Sequence, residues 1–158
     1  MRFNALPRAE AEAELLTCCA SRRWAAVVAA GRPYGSAADL FAAADAAVRA
    51  LDWPDVEEAL SAHPRIGDRP AGTDRESRWS RGEQSGVGEA DQAALTEGNV
   101  AYEERFGHVF LTCASGRGAG DMLTELRERL ANEPGTERAV VHGELTKITE
   151  LRLRKLFP

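Results

Sequence analysis

Two short stretches hold the residues whose types and spacing could do chemistry: "SAHPRIGD", residues 61–68, and "WSRGEQSG", residues 79–86. The first offers an imidazole, His63, followed by a proline, a glycine and an aspartate. An imidazole moves protons near neutral pH, which suits general acid–base work. The second offers a hydroxyl, a carboxylate and an amide in Ser80, Glu83 and Gln84. Gly67 permits close approach of the backbone to a ligand, and Asp68 or Glu83 is placed to orient the ring. In "SRGEQ", Gly82 suits a turn that presents Glu83, Gln84 and backbone amides. Each stretch alone also reads as a solvated polar loop. Together they have the composition of an active site acting by proton transfer.

Other chemistries are less well supplied. His63, Asp68, Glu83 and His108 would make a metal set on paper, but no His-Glu-x-x-His, Cys-x-x-Cys or tight carboxylate cluster occurs. No metal is expected. Cys113, in the apolar run "FLTCA", reads as a small hydrophobe before it reads as a nucleophile. His108, His142, Cys18 and Cys19 fall in or beside helical stretches and read as structural. "GRGAGD" lacks the Gly-Lys-Ser/Thr ending of a phosphate loop, yet its Arg117 is a candidate counter-charge for an anion. From His63 to Glu83, Arg65, Arg69, Arg75, Arg78 and Arg81 face Asp68, Asp74, Glu76 and Glu83, a mildly positive balance in a chain of net charge −5.

The elements that must position these groups are helical. "RAEAEAELLTCCAS" and "RRWAAVVAAG" predict two short helices, parted by Ser21 and closed at Gly31 before Pro33. Ser36 caps a helix whose Leu40, Ala44, Ala47 and Leu51 form one face. Asp52 and Pro54 open the next, "PDVEEALSA", which Pro64 stops just past His63. His63 then sits at a helix carboxyl end, where the dipole favours its cationic form. From Pro64 to Gly88 the apolar period lapses among Pro64, Gly67, Pro70, Gly72, Gly82, Gly86 and Gly88, with a weak helical candidate at residues 75–79. Such a segment in a compact domain is often functional. Helical spacing resumes through Leu95, Asn99, Tyr102 and Phe106 up to Gly107. "HVFLTCA" is strand-like or a buried turn, and two amphipathic helices follow, "AGDMLTELRERLAN" and "TERAVVHGELTKITELRLRKLF". The expected fold is a single compact all-α, multi-helix domain over residues 1–158, with an irregular central active-site segment.

Composition narrows the class. The 158 residues suffice for a sizeable core, and 44% hydrophobic with 28% charged residues argues against global disorder. An acidic chain lacks the broad basic surface that nucleic acid requires. No run of about eighteen apolar residues occurs, so no membrane span is expected. Three cysteines, two of them adjacent, fit a disulfide framework poorly. With no signal-peptide pattern at the start and no Ser-Lys-Leu at the end, a cytoplasmic location is expected.

"HPRIGD", "SRGEQ" and "NVAYEERFGHVFLTCASGR", in that order, resemble the 2-oxo-4-hydroxy-4-carboxy-5-ureidoimidazoline (OHCU) decarboxylases of urate breakdown. "FNALP", "RRW…GRPY" and "ERL…E…KITELRLRKL" are similar too, so the resemblance covers nearly the whole chain. It implies an all-α homodimer that converts OHCU to (S)-allantoin and CO2 with no cofactor. It places the proton-transferring role on His63, with Glu83 beside it. It implies substrate contacts at Pro64, at Ser80, Arg81, Gly82, Glu83 and Gln84, and at Phe110, Leu111, Thr112, Cys113 and Ala114; Arg117 joins them as the counter-charge. The alternative is a non-catalytic or differently specific relative that binds another ureido or imidazoline acid.

Overall fold

The computed structural model describes residues 1–68, 72, 74–85 and 88–158. Arg69, Pro70 and Gly86, counted above in the central segment, lie outside the described residues. Among the described residues every regular element is a helix: α1 Arg2–Ala5, α2 Arg8–Leu16, α3 Arg22–Ala30, α4 Ala37–Arg49, α5 Trp53–Leu60, α6 Arg75–Glu83, α7 Glu89–Phe106, α8 Ala119–Arg129 and α9 Pro134–Leu156. The all-α expectation holds. None of these helices is long and apolar enough to cross a membrane.

Ser36 and Asp52 cap their helices as the sequence predicts, and Ser21, read only as the break between two helices, proves to be a cap as well. Ser21, Ser36 and Asp52 accept backbone N–H groups of Trp24, Asp39 and Asp55 through their side chains, satisfying donors that a helix start leaves unpaired. Gly107 ends α7 in the left-handed conformation, φ 76°. Two elements differ from expectation. A short α1 precedes the first predicted helix. The weak candidate at 75–79 is a helix through Glu83, capped by Asp74, which accepts from the Ser77 N–H at 3.0 Å. "SRGE" is therefore the last turn of α6, and only Gln84 stands at its C-cap.

The chain forms two compact units, residues 1–62 with 145–158, and residues 63–144. In the first, α2, α3 and α4 pack in sequence around Trp24, Val28, Leu40, Ala44 and Val48, all essentially buried. Trp24 also satisfies its indole N–H on the Ala44 carbonyl at 3.0 Å, as a buried indole must. The "FNALP" and "GRPY" stretches meet here: Asn4 and the Tyr34 backbone exchange hydrogen bonds of 2.8 and 2.9 Å, and Arg32 donates to the Phe3 and Leu6 carbonyls. Arg22 and Arg23 pair with Glu58 and Asp55, tying α3 to α5. Cys18 and Cys19 are buried and unoxidised, and desolvation pushes the Cys19 thiol up to about 11, so it is an inert core group.

In the second unit α7 packs on α8. Its core joins Ile66, Leu95, Tyr102, Phe110, Ala114, Ala119, Met122 and Leu126, with Phe106, Leu123 and Leu130 alongside. The predicted inward face of α7 is the observed one. Between α7 and α8 the "HVFLTCA" run forms neither helix nor strand; Phe110, Leu111, Thr112 and Ala114 are buried in it.

Candidate active site

The second unit gathers all three motifs. His63 and Pro64 are half-buried and lie just past α5, beyond its C-cap Ser61. The chain then turns sharply, the Asp68 N–H donating to the Arg65 carbonyl at 3.0 Å. At the turn Gly67 has φ +99°, a conformation L side chains rarely adopt, and a Cβ there would lie 3.4 Å from that of Leu95. So the glycine serves the turn itself, where the sequence suggested a close approach to ligand.

Four side chains hold this turn. Gln84 accepts the Gly67 N–H on Oε1 at 2.9 Å, linking "HPRIGD" to "SRGEQ". Gln92 donates to the Gly67 carbonyl at 3.0 Å and Asn99 to the Ile66 carbonyl at 2.7 Å. Arg65 closes a two-oxygen ion pair on Glu103, at 2.9 and 3.1 Å. Gln92, Asn99 and Glu103 lie on one stripe of α7 with Leu95 between them, at helical intervals of three and four. That stripe was the available signal for their role; the buried face legible in the sequence runs from Leu95 and Asn99 to Tyr102 and Phe106 and leaves out Gln92 and Glu103. Asn99 is 3% exposed, and its Oδ1 meets no donor among the described residues. A buried acceptor remains beside the turn, a costly arrangement unless a ligand or water donates to it.

The third motif joins through the core. Ile66 of the turn shares its hydrophobic cluster with Phe110 and Ala114. Ser80 and Gln84, one turn apart on α6, are both 4% exposed, whereas Gly82 is exposed and Arg81 and Glu83 are half-buried. Arg81 donates to the Gly72 carbonyl at 2.6 Å. Cys113 is half-buried, in no disulfide, and next to the buried Thr112.

Some candidates have other engagements. Arg117 donates from Nη1 to Thr112 Oγ1 and to Glu125 Oε2, each at 2.8 Å, so its charge is matched within the protein. Asp68 is exposed. His108 packs among Tyr102 and Phe106, as its structural reading expected. Among the described residues, no three His, Cys, Asp or Glu side chains group to hold a metal ion.

An imidazole just past α5, and a carboxylate and an amide at the end of α6 tied to the same glycine turn, supply the groups that proton transfer uses. The chain belongs to the OHCU decarboxylase family, whose model matches residues 4–154. It is 38% identical over 152 residues to the uric acid degradation bifunctional protein of Arabidopsis thaliana; the match covers 92% of this chain and 47% of that one, so the chain spans about half of that relative. It is 34% identical to the 2-oxo-4-hydroxy-4-carboxy-5-ureidoimidazoline decarboxylase of Amia calva, covering 84% of this chain and 79% of that one. A crystal structure of OHCU decarboxylase in the presence of (S)-allantoin superposes with a TM-score of 0.79 at 33% identity, over 91% of this chain and 96% of that one.

Proposed function

We propose that the chain decarboxylates OHCU to (S)-allantoin and CO2 in urate breakdown. One observation carries the reading: the buried amide of Gln84, from the second motif, holds the glycine of the first, while Ile66 and the third motif share one core. Three stretches far apart in sequence thereby line one locality. The substrate is rich in N–H groups, which suits the acceptor left on Asn99.

The substrate chemistry explains why side chains suffice. The carboxylate and hydroxyl share a ring carbon next to a ring carbon–nitrogen double bond. When the bond to the carboxylate breaks, its electron pair forms a carbon–carbon double bond to the ureido-bearing carbon. The imine electrons move to nitrogen, which takes a proton. The resulting enol loses its hydroxyl proton as the ureido-bearing carbon gains one, giving the ketone of allantoin. That imine is the electron sink a cofactor would otherwise supply.

His63 removes the hydroxyl proton and delivers one to carbon from a single face. Glu83 holds the imidazole or the ureido nitrogens. Gln84 has committed its carbonyl oxygen to Gly67, so its NH2 group is what remains to donate to the ring. Pro64, Ser80, Arg81, Gly82 and residues 110–114 wall the substrate. The protein acts over residues 1–158 as one functional domain, as a homodimer and in the cytoplasm; sedimentation at equilibrium tests the dimer.

Circular dichroism of allantoin formed from OHCU, itself generated in place from urate, tests the activity. Wild-type protein should give a fast (S)-allantoin signal, and His63→Asn should lose at least about a hundredfold in rate. Glu83→Gln should also lose rate without loss of fold. A slow, optically silent course equal to the protein-free control, or full activity in folded His63→Asn, would overturn the assignment. Tight binding of an OHCU analogue without turnover would favour the non-catalytic alternative.

A further inference from the structure

A chain of charged groups runs from the core of the second unit to residues 110–112. Glu137, fully buried on α9, receives the Tyr102 hydroxyl at 2.5 Å, Arg129 Nε at 2.7 Å and Asn132 Nδ2 at 3.0 Å. Arg129, 5% exposed on α8, turns its Nη1 the other way, to the Leu111 carbonyl at 2.8 Å and Glu125 Oε1 at 3.4 Å. Its Nη2 lies 2.6 Å from Glu137 Oε1, close enough for ion pairing though not aligned as a hydrogen bond. The guanidinium carbon stands over the Phe110 ring, 4.5 Å from its centroid. Glu125 then accepts the Thr112 hydroxyl at 2.7 Å and Arg117 at 2.8 Å.

Two cations and two anions balance in this chain. Burial works against the Arg129 charge, but Glu137, Tyr102 and Glu125 outweigh it and hold its pKa above the ordinary value. Stability alone does not call for such an arrangement. Desolvating paired charges costs several kcal/mol per ion, and packed apolar side chains in their place are often as stable or more so. What the charges do achieve is directional. Three successive residues, Phe110, Leu111 and Thr112, are each fixed by a different group: a cation over a ring, a donor on a carbonyl, an acceptor on a hydroxyl. An apolar core would hold Phe110 and leave the carbonyl and hydroxyl free to rotate.

We propose that Glu125 and Arg129 are positioning residues of the active site, which fix the backbone and hydroxyl of residues 110–112 in the orientation the substrate meets. The inference rests on the decarboxylase reading above, in which this segment walls the substrate. Neither residue touches the reacting atoms; they act through Leu111 and Thr112.

Glu125→Gln keeps the shape of the side chain while removing its charge, and Arg129→Lys keeps the charge while removing the fork that serves Leu111 and Glu137 together. Steady-state kinetics on OHCU, corrected for folded fraction by thermal melts, should show kcat/KM down roughly tenfold or more in each. The loss should appear mainly in KM, with lower enantiomeric purity of allantoin after subtraction of the spontaneous reaction. A purely structural role would lower the melting temperature and leave KM and handedness of the folded protein unchanged, and that result overturns the proposal. If Arg129→Lys does not fold, Glu125→Gln decides alone, because that group is half-buried and its replacement isosteric. Wild-type protein that fails to turn over OHCU would instead sink the decarboxylase reading, and the positioning role with it.

Discussion

Gly67 has a structural role at the residue scale that its place in a motif does not reveal. Sequence marked it as a place where backbone meets ligand; the structure gives it φ +99° in a turn whose N–H and C=O are both taken by glutamine side chains. Asn99 was legible only as the polar member of a buried helix face, because periodicity locates faces and is blind to what a polar side chain bonds. Its bond to the Ile66 carbonyl spans 33 residues and exists only in the fold. Arg117 invited a ligand-binding role by its charge, and Glu125, which matches that charge, sits a further turn into α8 where no motif draws the eye. Gly67→Ala should force a strained backbone costing about 1–3 kcal/mol. Because His63 enters through the same turn, kcat should fall by more than the folded fraction does. Thermal melts alongside steady-state rates check this; a variant that melts early yet turns over normally would separate the turn from the site.

At the level of elements the capped, apolar-faced helices were readable, and α6 showed only as a weak candidate over its first five residues, for a physical reason. Its buried residue is Ser80, with Gln84 buried at the C-cap four positions on, both polar, so a search for apolar recurrence finds little. Gly82 then argues against a helix, costing roughly 1 kcal/mol relative to alanine. What remained was the Asp74 cap, easily read as a loop residue. Beyond its own helix backbone, Gly82 meets no atom of the described residues within 4 Å of where a Cβ would stand, and it keeps an ordinary helical backbone. Gly82→Ala should therefore stabilise the protein, by roughly 0.5–1 kcal/mol in thermal or urea unfolding. If the substrate lies against this turn of α6, the same methyl group should raise KM several-fold. A rise in stability with unchanged KM would remove Gly82 from the substrate wall and leave it as a tolerated helix defect.

At the scale of the whole molecule, the two units could not be read from composition because no linker separates them. One boundary falls between Ala62 and His63, at the edge of the first motif, and another between Glu144 and Leu145, inside α9. What the units do share is a reliance on carboxylates held below their ordinary range. In the first, Glu58 is depressed by the Arg22 backbone N–H and then by its guanidinium. In the second, burial raises Glu125, but the Thr112 hydroxyl, Arg117 and Arg129 together bring it lower. Asp52 and Asp55 shift in opposite directions within one pair, Asp52 lowered by its hydrogen bonds with Asp55 and Asp55 raised by desolvation. A carboxyl depressed on folding stabilises the folded state above its unfolded value and loses that contribution as pH falls through the folded one. Both glutamates start from 4.5, so the melting temperature should hold roughly level above about pH 4.5 and decline below it. Glu125→Gln should melt lower at neutral pH yet show a shallower acid decline, since one proton-linked contribution is gone. Melts of the two proteins across pH 3 to 7 settle it: parallel acid limbs would mean that Glu125 titrates as an ordinary surface carboxylate and that its ties to Thr112 and Arg117 contribute nothing to the folded state.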